Sequence, residues 1–98
     1  MSVFNNTLSD VLNAVSEATD ITPDAIISKS RECEVVDARH ICVKLLHLRG
    51  LYVSRIANLM KLTPRNIQYI LSSFDARIKF NRPLRNNYER ARKILGNI

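Results

Sequence analysis

Two of the three prolines in this 98-residue chain directly follow a threonine, at Thr22-Pro23 and Thr63-Pro64. Such a pair opens a helix by local chemistry alone. The threonine hydroxyl accepts an orphan first-turn amide, and the proline ring presets φ where no amide is needed. Behind Thr63-Pro64, apolar side chains recur at three- and four-residue steps: Ile67, Ile70, Leu71, Phe74 and Ile78. That pattern reaches about Phe80, where Asn81-Arg82-Pro83 interrupts it. No segment shows a period-two strand pattern, and two glycines leave little material for linkers. The expected class is all-α.

Other helices follow the same punctuation. Thr7 with Asp10 three residues later reads as a capping box opening a helix to about residue 19, with Leu8, Val11, Leu12 and Val15 on one face. A short helix after Thr22 carries Ile26 and Ile27. Residues 28–33, SKSREC, break the apolar pattern and read as a polar loop. A longer helix is expected from about Val35 to Arg49, with Ala38, Ile41, Cys42, Leu45 and Leu48 inward and Gly50 ending it. Val53–Met60 and the helix from Thr63-Pro64 come next. A last amphipathic helix, about Pro83–Leu95, carries Leu84, Tyr88, Ala91 and Leu95 on one side. The expected architecture is a compact bundle of five or six helices: a main domain over residues 1–82 and a basic amphipathic helix over 83–98.

Charge narrows the function. The net charge is +6 and the pI about 9.8. Residues 1–37 carry two bases against seven acids, a net of −5, whereas residues 38–98 carry thirteen bases against two acids, a net of +11. Ten of the fifteen bases are arginine, the better residue for forked contacts to phosphate or guanine. This distribution points to a polyanionic partner. No run approaches the roughly 18 apolar residues of a membrane span. The start, MSVFNNTLSD, lacks the basic-then-apolar order of a secretory signal, so a bacterial cytoplasm or nucleoid is expected, with both cysteines reduced.

The stretch LYVSRIANLMKLTPRNIQYIL, residues 51–71, has the layout of a helix-turn-helix. Ala57 is the small residue needed where the two helices cross, and Leu62 with the Thr63 cap swings the second helix outward. With Ile67 inward, Arg65, Tyr69 and Ser72 point away from the core, with Asn66 and Gln68 on the flanks. Arginine can fork onto guanine, Asn or Gln can pair with adenine, and an aromatic edge can meet a thymine methyl. Thr63, Arg65, Asn66, Gln68 and Tyr69 are therefore the candidate base readers. The turn position usually held by glycine is Lys61, a cation facing the same partner, at a cost of about 1 kcal/mol if its backbone is left-handed.

Residues 27–46, ISKSRECEVVDARHICVKLL, resemble the C-terminal DNA-binding domain of the bacterial replication initiator DnaA. That family has a similar loop of serine with basic residues, followed by a helix opening with an Ala-Arg or Pro-Arg pair and a polar residue. The likeness extends through RGLYVSRIANLM and covers roughly residues 8–80. It implies a duplex-binding helix-turn-helix in the major groove, with the basic loop, here Lys29 and Arg31, reaching the minor groove. It further implies that Arg39 and His40 contact the DNA backbone, and that amides at Val53 and Ser54 hold a phosphate, with Arg55 beside them. The family's reading helix opens with Gly-Gly-Arg-Asp-His-Thr-Thr. Here the matching stretch is KLTPRN, one residue shorter, and of the family's base readers only a hydroxyl remains, loosely, at Thr63. The family's ATPase phosphate loop of the GxxxxGK[ST] type has no counterpart here.

The expected function is sequence-specific double-stranded DNA binding by a stand-alone module that regulates transcription or replication, with a phage or mobile element suggested by the stripped-down architecture. The alternative is a protein-interaction module that has lost DNA and targets a host or partner protein. A nonspecific nucleic-acid coating protein is the third reading. His40, Lys44 and His47 share a helix face, but Cys33 and Cys42 lie nine apart and form no close zinc pair, so neither metal nor cofactor is expected. Without paired acids or a base beside either cysteine, neither catalysis nor a small-molecule substrate is expected. The stripe of the last helix either packs on its own bundle or forms a homodimer interface.

Overall fold

Six helices and no strand make up the described residues 3–96 of the computed structural model, with side chains described from Thr7 onward. They are α1 (Val3–Thr19), α2 (Pro23–Ile27), α3 (Cys33–Leu48), α4 (Val53–Met60), α5 (Pro64–Phe80) and α6 (Arg82–Leu95). Helix α3 is the axis of the bundle. Ala38, Ile41, Cys42, Val43, Leu45 and Leu46 are sealed from solvent, and all five other helices pack on it.

The threonine starts form as expected. Thr22 Oγ1 accepts the Ala25 amide at 3.2 Å, and Thr63 Oγ1 accepts the Asn66 amide at 3.1 Å. Asn81 does the same for α6, its Oδ1 accepting the Leu84 amide at 3.1 Å. At the end of α3, Gly50 takes φ +95° and donates to the His47 carbonyl at 2.9 Å, while Leu51 donates to Leu46 at 3.3 Å. That hydrogen-bond pair is a Schellman reversal, which needs a left-handed residue and an apolar one after it.

Three local expectations are corrected. Helix α1 begins at Val3, so Thr7 lies inside it and the Thr7–Asp10 pair does not open the helix. Neither glycine nor proline stands before Thr7, so nothing there stops the helix from running further back. Helix α3 starts at Cys33 instead of Val35. Leu48, expected inward, is 42% exposed, because after the Gly50 reversal Leu51 enters the core in its place, at 4% exposure.

Helix α6 lies along α1 and also touches α3 and α5. Leu84, Tyr88 and Ala91 are buried there, and Tyr88 meets Phe74 of α5 edge-on at 5.0 Å. Arg90 donates to the Ala18 carbonyl at 3.3 Å and Arg49 to the Leu95 carbonyl at 3.4 Å, two cations at helix C-termini. The apolar stripe of α6 is thus covered within the chain. A dimer formed through that stripe would have to open the bundle. No helix among the described residues is long and apolar enough to cross a membrane.

Candidate nucleic-acid interface

The helix-turn-helix consists of α4, the turn Lys61–Thr63, and α5. Ala57 is 3% exposed between the two helices, and its carbonyl accepts the Leu62 amide at 2.9 Å. Lys61 sits in the left-handed region, φ 60° and ψ 42°, as the glycine-like turn position demands. Leu62 packs on the core and Thr63 caps α5. Ile67, Ile70 and Phe74 fix one side of α5 in the core, with Leu71 half-buried beside them. The opposite side presents Arg65, Asn66, Gln68, Tyr69 and Ser72, all exposed, with Tyr69 at 66%. The Ser72 hydroxyl donates back to the Tyr69 carbonyl at 3.0 Å, so its proton is already in use.

The basic loop stands directly beside this helix. A cleft of about 530 Å³ is lined by Lys29, Arg31 and Arg39 on one wall and by Lys61, Thr63 and Asn66 on the other. Arg31 also borders a second cleft of about 440 Å³, shared with Tyr69, Ser73 and Arg77. The loop is therefore a ridge flanking the outward face of α5, with Arg31 between the two clefts. Serine hydroxyls shape it: Ser28 Oγ accepts the Ser30 amide and Ser30 Oγ accepts the Glu32 amide, each at 3.2 Å.

Arg39 is placed differently from its expected contact with DNA backbone. Its Nε donates to the Ile26 carbonyl at 2.9 Å, and its Nη2 donates to the carbonyls of Ser28 and of Ser30, the latter at 3.1 Å. The guanidinium is half-buried against the loop that carries Lys29 and Arg31. His40, matched to the same role, points elsewhere. Its Nδ1 accepts from Arg77 Nη1 at 2.8 Å, while Arg77 Nη2 pairs with Asp37 at 2.6 Å. Burial, followed by the cations Arg77 and Arg39, pushes His40 down to about 4 against the opposing pull of Asp37. At neutral pH the ring is neutral, with its Nδ1 lone pair committed to Arg77. Lys44, one turn along α3, pairs with Asp75 at 3.2 Å.

At α4 the N-cap is Tyr52, whose side chain makes no capping hydrogen bond. The Val53 side chain packs on the core, so its contribution to a ligand is its backbone alone. A hollow of about 510 Å³ beside this helix end is lined by Gly50, Tyr52, Ser54, Arg55 and Asn58. Tyr52, at 82% exposure, was not among the expected contacts. Among the described residues no three of His, Cys, Asp and Glu converge as metal ligands would. Cys42 is sealed in the core, where burial pushes its thiol far up, and Cys33 is exposed.

Compared with protein-family models, curated proteins and solved structures, the chain finds no match.

Proposed function

We propose that this chain binds double-stranded DNA sequence-specifically through α5, as a regulator of transcription or replication in a bacterial cytoplasm. The carrying observation is one juxtaposition. A Thr63-capped helix offers Arg65, Asn66, Gln68 and Tyr69 to solvent, and a basic loop with Lys29 and Arg31 runs alongside it. The capped helix suits a major groove, where forked side chains read base edges. The loop suits the flanking minor groove, whose narrow A·T-rich form attracts arginine. Lys61, Arg55 and the amides of Val53 and Ser54 suit phosphates. The likeness of residues 27–46 to the DNA-binding domain of DnaA supports the same reading, while KLTPRN argues for a target other than the initiator's box.

A mobility-shift selection from a random duplex library tests this. An enriched motif is the expected result. Binding without enrichment would make the chain a nonspecific coating protein. No binding would favour a protein partner, for which the exposed rings of Tyr52 and Tyr69 are the relevant surface.

A further inference from the structure

A charged residue beside a DNA-reading loop can act in two ways, by touching DNA or by holding the loop in place. Arg39 stands one element behind the loop, on α3, and reaches forward across it. Its fork is committed to three carbonyls spaced along the chain: Ile26 in the last turn of α2, then Ser28 and Ser30 within the loop. The Ile26 carbonyl lies at a helix C-terminus, where it has no intrahelical partner and favours a cation. The Ser28 and Ser30 carbonyls flank Lys29, and Arg31 follows directly. The hydroxyl turns at Ser28 and Ser30 bend the loop locally. The Ser28 hydroxyl also donates to the Ala25 carbonyl of α2 at 2.6 Å, a neighbour three residues back; the tie from α3 is Arg39.

We propose that Arg39 is a positioning residue: it anchors the 28–32 loop so that Lys29 and Arg31 stand beside α5, and it makes no phosphate contact itself. This rests on the reading of the chain as a DNA binder. The chemistry favours arginine, because its planar fork sets Nε and Nη2 against carbonyls that stand apart. Lysine carries the same charge, with all its donors on one nitrogen. The substitution Arg39→Lys therefore separates the two roles, since it keeps the cation and loses the fork.

The test has two arms. In the free protein, amide hydrogen exchange should speed up at Ser30 and Glu32 in Arg39→Lys by about tenfold or more, as expected when local structure opens, while core amides of α3 and α5 keep their wild-type rates. On the selected duplex, Arg39→Lys should weaken binding about 5- to 10-fold in the wild-type background, and less than about 2-fold where Lys29→Ala and Arg31→Ala are already present, the non-additivity expected of groups acting as a unit. An equal cost in both backgrounds would mean that Arg39 meets DNA directly and would overturn the proposal. So would unchanged exchange at Ser30 and Glu32. If the wild type binds no duplex, the DNA reading fails with this inference's role for the loop, whereas the exchange arm still decides whether Arg39 anchors it.

Discussion

Arg77 of α5 reaches Asp37 of α3 at 2.6 Å, and the same guanidinium donates to His40 one turn further along α3. The helix that offers the candidate base readers is thereby latched to the bundle axis, with a neutral histidine as one of the two acceptors. This has a consequence for pH. In the unfolded chain His40 titrates near 6.5, and in the fold near 4. As pH falls from 6.5 toward 4 the unfolded state takes up a proton that the folded state refuses, so stability falls across that window and is full above it. With solvent reaching part of the ring, the loss should be about 1–2 kcal/mol. Urea melts of wild type and His40→Asn between pH 7 and 4.5 check it. The wild type should lose more stability than the variant, and parallel curves would remove His40 from the account.

The reading helix separates binding from stability. Arg65→Ala, Asn66→Ala and Tyr69→Ala remove exposed side chains and should leave the melting temperature near that of wild type. Each lost base contact should cost about 1–3 kcal/mol of discrimination at one base pair, a guanine in the case of Arg65. Ile67→Ala, at a position with no exposure, should instead cost about 2–5 kcal/mol of stability. Thr63→Ala should cost about 1 kcal/mol through the lost cap. Motif selection alongside thermal melts reads both effects. If all three surface variants select the wild-type motif with wild-type affinity, α5 does not read DNA.

Lys61 trades stability for charge. Its left-handed backbone costs a side-chain-bearing residue about 1 kcal/mol, and glycine there would relieve that cost while adding freedom to the unfolded chain. Lys61→Gly should therefore be more stable by about 0.5 kcal/mol in a urea melt. If Lys61 neutralises a phosphate, the same variant should bind duplex DNA more weakly, with a log–log salt slope shallower by about 0.9. Opposite signs for the two measurements are the expected outcome. Loss of stability would show that the lysine stem contributes packing that outweighs the turn.

The parts of this protein legible from sequence are those governed by neighbours within one turn. Thr22, Thr63 and Asn81 stand where the chain itself supplies the amide to be capped, and α4 and α5 begin and end where local chemistry puts them. The outward face of α5 follows from helical period alone, once Ile67 is known to be inside. The roles of Arg39, His40 and Arg77 depend on partners 9 to 40 residues away, and no local pattern states which carbonyl or carboxylate a long side chain will find. Leu48 illustrates the same limit in the core. Its spacing on α3 is inward, yet it lies at the exposed end of the helix, and after the reversal at Gly50 it is Leu51 that is buried. The stripe on α6 left two occupants open, this bundle or a second copy, because amphipathicity specifies that a face must be covered and not by what. In the structure the α1 face covers that stripe, and burial within one chain costs no association entropy.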